Sequence, residues 1–127
     1  MRHAKASVEI EAPADEVWHL IAKFEYWPTW GPTVRAVESE TKEVDPGVTG
    51  RVKTIGGLWL PFQIIDVEPG HSWNWRVLGV PMTGHRIANL GDGRSMAEFT
   101  VHIVLAPYVL VLRRGLRRLK LVAEAQR

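Results

Sequence analysis

Apolar residues recur along this chain at two different periods, and the changes of period divide it into elements. From Lys5 to Glu11, Ala6, Val8 and Ile10 alternate with Ser7, Glu9 and Glu11, which predicts a half-buried strand. Ala12-Pro13 breaks the alternation and opens a helix. Asp15 and Glu16 sit near its positive end, and Val17, Trp18, Leu20, Ile21 and Phe24 form its buried stripe. The aromatic stretch Phe24 to Pro32 carries two prolines, which permit at most a second brief helix or turn.

From Val34 to Leu105 the pattern predicts an antiparallel meander. Strands are expected over Val34–Glu43, Gly50–Ile55, Leu58–Glu68, Ser72–Leu78, His85–Leu90 and Arg94–Leu105. The breaks are Asp45-Pro46-Gly47, Gly56-Gly57, Pro69-Gly70, a loop Gly79–Gly84, and Gly91-Asp92-Gly93, the residues hairpins require. The period then lengthens. From Pro107 to Gln126, Tyr108, Leu112, Leu116, Leu119 and Val122 or Ala123 fall at steps of three and four, one face of a long helix. Val109, Leu110 and Val111 widen the stripe, so its first turns are expected to be the most buried. Gly115 interrupts the helix where a close neighbour would explain it. A strand, two short helices, about six strands and a long helix make an α+β domain.

Composition narrows the picture. The 127 residues suit one domain, 1–127, and 46% apolar residues exclude disorder. There is no cysteine, hence no disulfide or thiolate metal site, which fits a reducing cytoplasm. Met1 to Ser7 lacks the apolar core of a signal peptide. The apolar run Phe99–Leu112 is shorter than the ~20 residues a bilayer requires. The net charge of +2 is uneven: residues from Pro107 onward carry six basic and one acidic side chain, the rest ten and thirteen. Arg113, Arg114, Arg117, Arg118 and Lys120 therefore form a basic helix face. Such a face is either solvated or meets an anionic partner or membrane. No nucleic-acid-binding motif accompanies it.

Specific stretches carry a resemblance. Val8 to Trp18 opens with a strand and an apolar–Pro–acidic–Val–Trp helix start, and Phe24 to Trp30 has an F-x-x-aromatic-P-x-W form. Val67-Glu68-Pro69 before Ser72-Trp73, and Gly84-His85 in the next strand, complete it. Across the whole chain these resemble the SRPBCC superfamily, the START-like helix-grip fold, and within it the polyketide cyclase/dehydrase and lipid-transport group. The resemblance implies a curved antiparallel sheet of about seven strands wrapped around the C-terminal helix, two short helices after the first strand, and a cavity between sheet and helix. Members hold lipids, polyketides or other apolar molecules there. Some are enzymes and many only bind.

Candidate cavity residues follow. Trp73, Trp75 and Val77 share a phase opposite Asn74 and Arg76, and Trp59 is in phase with Ile65 and Val67 unless a bulge intervenes. Trp27 and Trp30 lie where the family places the rim. Phe99 alternates against Glu98, Thr100 and His102, while Tyr108 and Leu112 face inward from the helix. Each ring has an ordinary explanation as core filling, but six tryptophans exceed what such a domain needs, and a ring-lined cavity suits a flat apolar ligand. His85, in phase with Ile87, is the candidate polar group, either orienting a ligand or moving a proton, or simply a satisfied core histidine. No nucleophile motif joins it. His3, His19, His71, His85 and His102 lack metal-ligand spacing, and no cofactor is implied. Three functions remain: a binder or carrier of a small hydrophobic or amphipathic ligand; a cyclase, aromatase or dehydratase using His85; and an interaction module acting through the basic helix. Oligomeric state is not encoded in any pattern here.

Overall fold

A computed structural model describes residues 3–102 and 107–126. The order is β1 (His3–Ile10), α1 (Ala14–Ala22), a single 3₁₀ turn (Phe24–Tyr26) and α2 (Trp27–Trp30). Then come β2 (Val34–Ser39), β3 (Thr49–Thr54), β4 (Trp59–Glu68), β5 (Ser72–Val77), β6 (Val80–Gly91), β7 (Arg94–His102) and α3 (Val109–Ala125). The seven strands form one antiparallel sheet in the order β1-β7-β6-β5-β4-β3-β2. The meander β2 to β7 is thus closed by β1 pairing with the last strand, as a helix-grip fold requires. α3 lies across one side of the concave face, against β1, β7, α1 and α2.

Curvature comes from bulges. Register shifts fall between Val34 and Ala36, Ile64 and Val67, Asn74 and Arg76, and Asn89 and Gly91. Each extra residue bends its strand and increases local twist. The core fills the resulting hollow with Ile10, Val17, Leu20, Ile21, Trp27, Ile64, Phe99 and Leu119, all nearly inaccessible.

Three elements differ from the pattern-based expectation. β2 ends at Ser39, not Glu43, because residues 42–44 turn away to α1: Phe24 N–H donates to the Lys42 carbonyl and Val44 N–H to that of Ala22. The segment Gly79–Gly84 is not a loop. Leu78 and Gly79 both have positive φ, 54° and 75°, and make a two-residue turn, with Val77 already paired to Val80. Its Gly and Pro content hid a strand. The first turns of α3 are not the most buried: Leu110 is 69% exposed, Val109 and Val111 are half-buried, and Ala123 near the far end is buried. The distal half of α3 packs on the sheet, while its start overhangs the hollow. The part of the last predicted strand at residues 103–106 lies outside the described residues.

Gly50 shows the tightest fit. It pairs with Phe62 across β3 and β4, and a Cβ there would meet the Phe62 ring at 2.8 Å and crowd the Glu38 carbonyl. Gly50→Ala is therefore expected to lower the urea unfolding free energy by about 1–3 kcal/mol, the usual range for overpacking. Gly56→Ala, where the nearest atom is 3.8 Å away, should change it by less than about 0.5 kcal/mol.

Candidate functional site

Trp27 and Trp30 are one helical turn apart on α2 and both point inward. Their indole N–H groups donate to main-chain carbonyls in the last turn of α1, Trp27 to Ile21 at 2.8 Å and Trp30 to Leu20 at 2.9 Å. Carbonyls at a helix C-terminus lack intrahelical partners, so the indoles cap α1. With their polar atoms satisfied on the helix side, the ring faces are free to meet the sheet.

β5 supplies the opposing wall. The Trp73 ring stacks on Trp27 at 5.0 Å with 5° between planes, and on its other side meets His85 at 3.8 Å and 24°. Trp75 stands edge-on to both indoles, and Phe99 edge-on to His85 at 4.8 Å. The hollow bounded by these rings is completed by the link Gly31–Val34, Thr83, Tyr108, Val111, Leu112 and Gly115. Gly115 now has its reason: a Cβ there would lie 3.3 Å from Pro32 and 3.5 Å from the Trp30 carbonyl, so glycine lets the α2–β2 link pass against α3. The hollow has a free volume of about 60 Å³, and all the empty space among its lining atoms, open solvent included, comes to about 480 Å³. Among the described residues, no acidic or basic side chain other than His85 lines it, the Tyr108 phenol apart.

The polar groups form one chain. Trp75 Nε1–H donates to Thr83 Oγ1 at 2.9 Å, and Thr83 Oγ1 lies 3.0 Å from His85 Nε2. His85 Nδ1 lies 3.4 Å from the Trp73 carbonyl. A carbonyl only accepts, so the neutral ring carries its proton on Nδ1; Nε2 then accepts from the Thr83 hydroxyl, whose oxygen accepts from Trp75. Burial pushes the His85 pKa down to about 3, against a smaller upward pull from the Trp73 carbonyl. Among the described residues, Trp73 Nε1 is a buried side-chain nitrogen with no hydrogen-bond partner.

Of the predicted cavity residues, Trp27, Trp30, Trp73, Trp75, His85, Phe99, Tyr108 and Leu112 line the hollow together. Val77 and Ile87 share the inward phase and are buried, yet they lie further along their strands and do not reach it. Trp59 is on the other face. Phe62 and Ile64 point inward, so Trp59, three residues before Phe62, points outward; the bulge after Ile64 is what brings Val67 back inward. Trp59 instead lies beneath Arg51 and Lys53, at 4.5 and 5.9 Å from its ring. The Gly31–Val34 link, Thr83, Val111 and Gly115 also line the hollow without having been predicted to, and Phe62 braces it from behind. Thr83 was assigned to a loop, although Thr83, His85 and Ile87 keep a period of two. Phe62 meets Trp27 and Trp75 at 5.8 and 5.6 Å and braces both rings, and it was overlooked beside Pro61.

The family model for polyketide cyclase / dehydrase and lipid transport matches residues 1–124. Among solved structures, the chain is similar to a START superfamily protein from Mycobacterium smegmatis, with a TM-score of 0.79 and 14% identity over 98% of this chain and 99% of that one. Protein XoxI from Bacillus cereus gives 0.75 and 16%, over 97% and 96% of the two chains. The di-domain ARO/CYC BexL from the BE-7585A biosynthetic pathway gives 0.74 and 16%, this chain covering 47% of it and 99% of itself being matched. No curated protein matches the sequence.

The depressed His85 pKa has a measurable consequence. Between about 6.5 and 3 the unfolded chain binds this proton and the folded one does not, so the contribution is complete above the unfolded value and is lost as pH falls. Comparing wild type with His85→Gln, stability of the wild type should fall more steeply below pH 6.5, by up to about 1.4 kcal/mol per unit. Urea unfolding at a series of pH values reads the difference.

Proposed function

The chain belongs to the polyketide cyclase/dehydrase and lipid-transport family, and we propose that within it this protein binds or carries a small, flat, uncharged apolar molecule in the ring-lined hollow. The observation that carries the reading is the composition of the wall. Four indoles, a phenyl ring and a neutral imidazole surround the space, and among the described residues no charged group lines it to hold an ionised ligand. Burying such a molecule gains about 25 cal/mol per Å² of apolar area. An acceptor atom at its buried end would also satisfy the unpartnered Trp73 N–H, whose burial alone costs about 1–3 kcal/mol.

Size sharpens the proposal. The free volume of about 60 Å³ is far below the ~300 Å³ of an ordinary ligand pocket. The ligand's inner end is therefore small, and the remainder occupies the mouth beside Pro32, Val34, Tyr108 and Val111. A larger lipid or polyketide enters only if the Gly31–Val34 link and the overhanging start of α3 move apart.

The second reading, a cyclase or dehydratase, draws on the similarity to the di-domain ARO/CYC. His85 argues against it as the acid. Its protonated form is not populated near neutral pH, its Nε2 is engaged by Thr83, and among the described residues no second ionisable group lines the hollow with it apart from the Tyr108 phenol. Binding without chemistry is the better match.

Trp75→Ala removes an edge-on wall and the donor to Thr83 while leaving a half-exposed position. It should retain the fold by circular dichroism and lose uptake of 2-naphthol by at least about tenfold, the loss expected for about 1.5 kcal/mol of apolar contact. Naphthol uptake equal to wild type would refute the pocket assignment. Turnover of a polyketide-like substrate abolished by His85→Ala would favour the enzyme instead.

A further inference from the structure

The hollow opens at one end of the sheet, and that end carries most of the molecule's exposed apolar side chains. The register places Val34 opposite Thr54, Phe62 opposite Val77 and Thr83 opposite Val101. The turns 55–58 and 78–79 therefore lie at the same end as Val34 and Thr83, both of which line the hollow. Of the seven large apolar side chains most exposed among the described residues, five are here: Ile55 63%, Leu58 68%, Leu78 61%, Val80 52% and Leu110 69%. Leu110 directly precedes Val111 of the mouth.

Leu78 is the telling residue. Its φ of 54° is left-handed, a conformation that asparagine, aspartate or glycine adopts at low cost. The turn between β6 and β7 has an aspartate, Asp92, in the corresponding conformation at φ 55°. At Leu78 the chain keeps a strained, bulky, solvent-facing leucine, and the fold gains nothing visible from it. Both tips stand clear of the body: a Cβ on Gly57 or Gly79 would find no atom within 4 Å.

Charge at this end is mostly positive, the exception being Glu38, which stands opposite Arg51 and pairs with it. Residues 31–36, 51–63, 75–84 and 107–114 contain Arg35, Arg51, Lys53, Arg76, Arg113 and Arg114, and no Asp or Glu. Trp59, half-buried beneath Arg51 and Lys53, sits at the base of the first tip.

We propose that this end of the molecule docks on an anionic lipid bilayer, with the leucine and isoleucine tips in the acyl boundary and the ring of cations among the headgroups. Apolar side chains on protruding turns, backed by cations and an interfacial tryptophan, are the features that seat a protein at a membrane surface. The docking surface stands whether or not the hollow takes a ligand; if both hold, the mouth faces the membrane.

The test is cosedimentation of the whole protein with vesicles of phosphatidylcholine and phosphatidylserine in about equal parts, and with phosphatidylcholine alone. Wild type should pellet with the mixed vesicles, weakly with the neutral ones, and less as salt is raised. The double substitution Leu58→Asp with Leu78→Asp should weaken binding by at least about tenfold. Leu78→Gly should weaken it several-fold while its thermal midpoint equals or exceeds that of wild type, which separates docking from folding. Leu121→Asp, on the distal half of α3, should bind as wild type does. Absence of binding to either vesicle, or loss in Leu121→Asp as large as in the double variant, would overturn the proposal. So would self-association in place of vesicle binding, which would assign the tips to a second copy of the chain.

Discussion

Two indole N–H groups hold this architecture open. By donating to the free carbonyls at the end of α1, Trp27 and Trp30 fix a short helical segment across the concave side of the sheet. Trp27 then stacks on Trp73, tying that segment to β5. Because the link after α2 passes against Gly115, the start of α3 rests on Gly31–Val34 and overhangs the sheet. A space bounded by rings follows from these contacts. Without the two donors, α1 would end in unpaired carbonyls and the aromatic segment would have no fixed place.

The hollow's chemistry follows from its dryness. Burial disfavours the charged imidazole, so His85 stays neutral and spends both nitrogens on neighbours. The neutral ring keeps one proton, on Nδ1 facing the Trp73 carbonyl, and turns its Nε2 lone pair to the Thr83 hydroxyl. The same low polarity that disables it as an acid favours an uncharged guest. The charged side chains lie outside the hollow, with Arg35, Lys53, Arg76, Arg113 and Arg114 in the stretches that border its end of the sheet.

Much of this was legible in the order of apolar positions. The alternation at Trp73, Trp75, His85 and Phe99 placed four wall residues correctly, because a strand's period of two leaves little choice of face. What the pattern missed has physical causes. One extra residue after Ile64 reverses the phase of β4, so Trp59 could be assigned to the inner face only by carrying Val67's phase back across the bulge. Gly79, Pro81 and Gly84 disguised the start of β6, and Thr83 went with it. The apolar run Val109–Val111 suggested deep burial, yet exposure there is decided by where α2 and its link hold the helix, a contact between residues some eighty positions apart. Nor does periodicity reveal strain: Leu78 looks like a strand residue until its φ is known.

The six indole N–H groups offer the most direct measurement, because each gives its own signal in a ¹H–¹⁵N correlation spectrum of the protein. On titration with 2-naphthol, the signals of Trp27, Trp30, Trp73 and Trp75 should shift together and saturate, while Trp18 and Trp59 stay in place. Saturable shifts confined to Trp18 or Trp59, or no saturable shift at all, would contradict a ligand site within the ring-lined hollow.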